Sequence, residues 1–232
     1  MKIKAVNTLI LGLLVCFSCG ELDEESYTIT FSFYDDAQGW LADFADYPAG
    51  EEVFYELSAG WAHLPSPLET TKGSFRISGN NHSDDLFMFI KRKVDGLRKN
   101  TRYHVTLEIE MASNAPTNAI GIGGAPGEGV TLKVGAVMYY PDKLLGDDDF
   151  YSINLDKGNQ TSSGEDMFAI GHIGVSDTTT VYSFIKRNNN AVPIEITTDE
   201  EGAFWVVIGT DSGFEGITTL YYNNIKLVVS KA

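Results

Sequence analysis

Cysteine is nearly absent from this chain. Of its 232 residues two are cysteine, Cys16 and Cys19, and both sit at the end of an apolar leader. The part beyond Cys19 therefore has neither an internal disulfide nor a thiolate metal site. Basic residues are also few: 17 Lys and Arg stand against 32 Asp and Glu, a formal net charge of −15. Lys2 and Lys4 belong to the leader, so the remainder is more acidic still. Such a surface repels phosphate backbones and excludes nucleic acid as the expected partner. The leader's apolar run, Leu9-Ile-Leu-Gly-Leu-Leu-Val, is too short to span a bilayer as a stable helix. No segment carries an apolar stripe of helical period beyond a turn or two.

Catalytic signatures are missing as well. The four histidines, His63, His82, His104 and His172, show no His-x-His or His-x-x-x-His spacing, so no zinc site forms from neighbouring ligands. Ser162-Ser163-Gly164 and Asp211-Ser212-Gly213 lack the Gly-x-Ser-x-Gly elbow and read as turns. Gly121-Ile-Gly-Gly-Ala-Pro-Gly-Glu-Gly has no following Lys-Ser or Lys-Thr, and a strand rather than a helix comes after it. It is a connection, not a phosphate cradle.

What the chain does have is alternation. Tyr103, Val105, Leu107, Ile109 and Met111 fall on one face of a segment whose other face is His104, Thr106, Glu108 and Glu110. That is the period of a strand with one side on a core and one in water. Residues 27–34 alternate in the same way. Leu86-Phe-Met-Phe-Ile and Phe204-Trp-Val-Val-Ile are apolar on both sides, as in strands buried on both faces. Trp40 and Trp205 read as core. Further strands are expected within 53–64, 74–78, 130–140, 151–155, 168–173, 180–186, 194–197 and 218–229, while 41–48 reads as a short helical turn or irregular loop. The expectation is a single all-β domain over 27–232, a sandwich of about ten or more antiparallel strands, after a polar tether at 20–26.

Residues 1–19 resemble a bacterial lipoprotein signal. Met1-Lys-Ile-Lys is its basic start, and Ser18-Cys19 followed by Gly-Glu-Leu-Asp-Glu-Glu marks Cys19 as the lipid-attachment residue. Cys16 and Phe17 depart from the preferred aliphatic and small residues before that cysteine. The resemblance implies an outer-membrane lipoprotein on the periplasmic or cell-surface side, touching the membrane only through its lipid, or otherwise a secreted protein.

Three further pieces carry a second resemblance. They are Asp35-Asp-Ala-Gln-Gly-Trp40 after the first strand, Val94-Asp-Gly-Leu-Arg-Lys-Asn-Thr-Arg-Tyr103 before the long alternating one, and Thr219-Leu-Tyr-Tyr-Asn-Asn-Ile-Lys-Leu227 at the close. Together they resemble the galactose-binding-like jelly roll of many bacterial carbohydrate-binding modules. The resemblance implies a jelly-roll β-sandwich and a structural calcium between Asp35 or Asp36 and the Asn223-Asn224 pair. Asparagine there lacks the charge of the aspartate often found at that place.

Sugar binding needs an aromatic platform for the C–H face of the ring and planar polar side chains for its hydroxyls. Trp61, Tyr140 and Tyr151 are candidate platforms, and Asn81, His82, Asp84, Asp85, Asn159, Gln160, Glu165 and Asp166 candidate hydroxyl partners. The leading expectation is non-catalytic binding of a carbohydrate or surface glycan. A structural or adhesive surface protein is the alternative. A glycan hydrolase, using carboxylates such as Glu165, Asp166, Asp211 or Glu215, comes third.

Overall fold

The computed structural model describes residues 25–83, 85–176 and 180–232. Their strands are β1 (Ser26–Ser32), β2 (Leu41–Ala45), β3 (Tyr47–Pro48), β4 (Ser58–His63), β5 (Gly73–Asn80), β6 (Leu86–Val94), β7 (Arg102–Ser113) and β8 (Val130–Val137). They continue with β9 (Lys143–Leu145), β10 (Phe150–Ile153), β11 (Met167–His172), β12 (Ser183–Asn188), β13 (Ile194–Thr197), β14 (Phe204–Ser212) and β15 (Ile217–Lys231). No helix occurs among the described residues.

Seven strands form one sheet in the order β12-β7-β15-β5-β4, with β13 also on β7 and β1 also on β15. Five form a second, β11-β8-β14-β6-β2, and β3-β10-β9 make a small third sheet. All these pairs are antiparallel. The interleaved sets β5-β15-β7-β12 and β6-β14-β8-β11 are the two four-stranded halves of a jelly roll. The fold is the expected all-β sandwich.

Alternation places the core. The inward residues of β7, Tyr103, Val105, Leu107, Ile109 and Met111, are all buried and meet Leu86, Met88, Ile90, Val206 and Ile208 in one apolar cluster between the sheets. Trp40 lies in it, edge-on to Phe31 at 5.5 Å between ring centroids. Trp205 does not belong to this cluster. It points outward from β14, half-buried, with Tyr140 edge-on at 4.8 Å.

Residues 41–48 are not helical but extended, as β2 and β3. The edge of β6 would otherwise leave its peptide groups unpaired, and β2 covers it with Phe44 and Ala42 against the core. Asp46, at φ 62°, makes the break between the two strands. Within 53–64 only β4 is strand. Residues 51–57 instead coil back, with Tyr55 N–H donating to Glu51 O and Leu57 N–H to Glu52 O.

The five-stranded sheet has a second buried side. Phe87, Phe89, Val137 and Val207 point away from the main core, and residues 138–166 fold over them, adding Leu155 to form a second apolar cluster with Ala45 and Met167. Packing is close there: a Cβ on Gly209 would collide with the Phe87 ring. Among the described residues, the outer side of the seven-stranded sheet carries no such cover.

Candidate functional site: a bare sheet face and a charged sandwich end

The register of the seven-stranded sheet assembles its outer face in rows. One row runs Phe184, Ala112, Tyr221, Arg76 across β12, β7, β15 and β5. The next is Lys186, Glu110, Asn224, Ser32, and the third Asn188, Glu108, Lys226, Thr30. These residues are outward because their neighbours along the strand face the core, except at Asn224, where a bulge turns Asn223 outward as well. The first row is an aromatic ledge: Phe184 is 42% exposed, and Tyr182 stands edge-on to Tyr221 at 5.3 Å. The other rows line a groove of about 330 Å³, which Asn190 helps to close.

The groove's charges are paired in place. Lys186 Nζ lies 2.9 Å from Glu110 Oε2 and Lys226 Nζ 3.1 Å from Glu108 Oε1. A bulge in β15 at Asn223 brings that side chain alongside its neighbour's, and Asn223 Nδ2 donates to Glu110 Oε1 at 2.6 Å. Partial burial raises the Glu110 carboxyl, but Lys186 and Asn223 outweigh it and leave it below the usual carboxylate range. The carboxylate is therefore held as an acceptor. Asn224 Oδ1, which lies against the groove, is buried without a hydrogen-bond donor.

One end of the sandwich concentrates buried charge. Lys133 on β8 and Asp211 on β14 point outward from the five-stranded sheet beneath the cover, both with fully buried side chains, at 2.8 Å. Lys133 Nζ also donates to Lys157 O and Ser162 O in the cover. Lys157 reaches back from the cover, 2.8 Å from Asp211, 3.0 Å from Asp46 and 3.7 Å from Asp85. Burial pushes the Asp46 carboxyl up, against the pull of Lys157. Burial pulls the Lys133 ammonium down despite Asp211. It also opposes charge on Lys157, but Asp211 and Asp46 outweigh it and hold that ammonium above its ordinary value.

The sequence-derived candidates distribute over three places. At the charged end, Asn81 is buried and its amide donates to Ser212 O and Phe214 O, which makes it a clamp between loops. His82 stacks on the exposed Phe54 ring at 4.1 Å. Asp85 meets Lys157, whose loop also carries Asn159 and Gln160; Asn159 O accepts from Ser162 N–H. Under the cover's far side, Tyr140 lies over Lys91 and against Trp205, and Asp166 Oδ2 accepts from Tyr139 Oη and Asp156 N–H. Glu165 donates its N–H to Asp156, and Tyr151 packs on Tyr47 with Lys143 Nζ 4.4 Å from its ring. Trp61 lies on edge strand β4, edge-on to His63 at 5.1 Å, its indole N–H donating to Phe33 O at 2.9 Å. Asp84 and Cys19 lie outside the described residues.

No cleft opposes two carboxylates in the manner of a hydrolase among the described candidates. Asp211 is buried and shared by two lysines, and Glu215 sits in a loop, its N–H on Ile122 O. Two of the residues that the fold resemblance assigns to a calcium have partners within the chain. Asp36 Oδ1 is taken by Gln38 N–H and Nε2, and Asn223 by Glu110. Among the described residues, the acidic group close enough to share an ion is Asp46, Asp85 and Asp211, and there the cation is Lys157.

Sequence reasoning passed over Phe184, Tyr182, Tyr221 and Arg76. The signal was the alternation Phe184, Lys186, Asn188, and the adjacency of Tyr221 to Tyr222, one of which had to face outward.

No protein-family model matches the chain, and no curated protein matches it. Solved structures do overlay on it. A carbohydrate-binding module described in specific mannan recognition, TmCBM27, is 12% identical, with 90% of this chain and 99% of that one covered and a TM-score of 0.38. The CBM22-1–CBM22-2 tandem domain of Paenibacillus barcinonensis Xyn10C is 11% identical over 91% of this chain and 48% of that one, at a TM-score of 0.40. The enzymatically active domain of bacteriophage CBA120 tailspike protein 4 is 8% identical over 81% of this chain but 19% of that one, at a TM-score of 0.36.

Proposed function

We propose that this protein binds a carbohydrate on the outer face of the seven-stranded sheet, without cleaving it, and that a lipid on Cys19 tethers it to the outer membrane. The observation that carries the first part is the bare face itself. An aromatic ledge of exposed Phe184 and half-buried Tyr182 and Tyr221 borders a groove of amides and fixed carboxylates. Sugar rings present an apolar face and a rim of hydroxyls, and this surface offers a partner for each. The tether rests on the Ser18-Cys19 signal and its acidic flank.

Affinity electrophoresis of residues 20–232 through gels containing single polysaccharides tests the binding. Retardation by at least one is expected, with affinity falling about tenfold, or 1.4 kcal/mol, in Phe184→Ala. Unretarded migration in every gel would overturn the reading, and equal retardation of Phe184→Ala would move the site elsewhere. Fatty-acid labelling of the full chain tests the anchor: label is expected in the native chain and lost in Cys19→Ala.

A further inference from the structure

Among the described residues, the cluster at the charged end of the sandwich holds one carboxylate more than it has ammoniums. Three carboxylates, Asp46, Asp85 and Asp211, have oxygens within 4.8 Å of one another. Two ammoniums, Lys133 and Lys157, face them. Both ammoniums are committed to Asp211 Oδ2, at 2.8 Å each, and Lys157 divides its remaining reach between Asp46 and Asp85. That leaves Asp46 Oδ2, Asp85 Oδ1 and Asp211 Oδ1, all buried atoms, accepting no hydrogen bond; of the three, Asp46 Oδ2 at least has Lys157 Nζ at 3.0 Å. Orphan carboxylate oxygens in one small volume repel one another, and each has lost its water.

We propose that Asp85 and Asp211 share a proton, carboxyl to carboxylate, and that this proton fastens residues 138–166 over the five-stranded sheet. Asp85 is the member that takes it, because Asp211 is held ionised by two lysines while Asp85 has only the longer 3.7 Å approach of Lys157. Protonated, Asp85 donates to the Asp211 oxygen that lacks a donor. The cluster then carries two positive and two negative charges. Burial, with the charges of Asp46 and Asp211 behind it, pushes the Asp85 carboxyl up to about 6 against the pull of Lys157. The fastening is mechanical as well as electrical. Lys133 and Lys157 tie down this end of the cover, one by donating to Lys157 O and Ser162 O and the other by descending into the carboxylates.

The sign of the linkage follows. A carboxyl whose folded value lies above its unfolded one binds more protons folded than unfolded between the two values. Stability and cover protection therefore rise as pH falls through about 6 and level off below the ordinary carboxylate range. The Asp85 side chain is 45% exposed, so solvent screens part of the effect, and the expected change is about tenfold in the protection factors of 155–165 between pH 7.5 and 5 rather than the full shift.

Carboxyl-carbon NMR titration of the folded protein is the direct test. One carboxyl should titrate near pH 6 in the native chain, vanish in Asp85→Asn and persist in Asp147→Asn, which removes an equal charge from an exposed loop. In Asp85→Asn the amide replaces the proton, so hydrogen-exchange protection of 155–165 should be high and flat from pH 5 to 7.5. No carboxyl titrating above pH 5, or one indifferent to Asp85→Asn, overturns the proposal. So does calcium at pH 7.5, if it raises protection as acid does, because the cluster is then a metal site. The native titration stands even if the variant fails to fold.

Discussion

The two outer faces of this sandwich are built on opposite terms. Both belong to antiparallel sheets sharing one core, yet one is sealed and the other is bare. The five-stranded sheet turns Phe87, Phe89, Val137 and Val207 outward, and residues 138–166 lie over them. The seven-stranded sheet turns Thr30, Glu108, Glu110, Lys186, Asn188 and Lys226 outward and leaves them in a groove. An apolar face must be covered, because each large side chain taken from water contributes about 1.5–3 kcal/mol. A polar face gains nothing from a cover. The sealed face shows how buried charge is managed when it is purely structural: Lys91 and Lys133 rise from the sheet centre and end on carbonyls of the cover, Pro141 O for one and Lys157 O and Ser162 O for the other. The bare face keeps its lysines in water on carboxylates, where they order acceptors at small energetic stake.

The comparison breaks most visibly at Asp211. Asp211→Ala leaves Lys133 and Lys157 without their shared carboxylate in a dry site, and a loss of about 3–5 kcal/mol is expected in urea unfolding. A loss under about 1 kcal/mol would mean that water reaches the cluster and the cover is not sealed. Next comes a matched pair of phenylalanines. Phe89→Ala, beneath the cover, should lose about 3 kcal/mol or more through the cavity it opens. Phe184→Ala, on the bare face, should shift stability by less than about 1 kcal/mol while taking the binding described above. Equal destabilisation by the two would erase the distinction between the faces.

Much of this architecture was legible from alternation. The clean period of residues 103–111 gave a strand with one wet face, and β7 is that strand, buried on one side and lining the groove on the other. Leu86-Phe-Met-Phe-Ile and Phe204-Trp-Val-Val-Ile read as buried on both sides, and the cover is what buries the second side. The sites were harder. Phe184, Tyr221 and Arg76 lie far apart in the chain and become neighbours only through strand register, which periodicity cannot supply. Lys133 and Lys91 were invisible for a different reason. In an alternating strand an outward lysine looks solvated, and only the long excursion between β8 and β11 makes those positions dry. The polar loops drew attention because loops carry function so often. Asn81 shows that a polar loop residue can be wholly occupied in joining two turns.

The smallest expected effect tests the finest part of the contrast. Lys186 and Glu110 form an exposed pair at 2.9 Å, and pairs of that kind contribute about 0.2–1 kcal/mol. Lys186→Ala should therefore change urea stability by about 0.5 kcal/mol or less. Its consequence for binding should be larger than that. Without the ammonium, Glu110 keeps only Asn223 as a donor, its carboxyl drifts back up towards the ordinary range, and its orientation beside the groove loosens. Affinity for a retarding polysaccharide should fall by a few-fold, and the fall should deepen as pH drops through the carboxylate range, where native Glu110 stays ionised and the variant's begins to protonate. A binding loss without that added pH dependence would show that Lys186 touches the ligand itself. No loss at all would show that the groove is solvated scenery beside a ledge that binds alone.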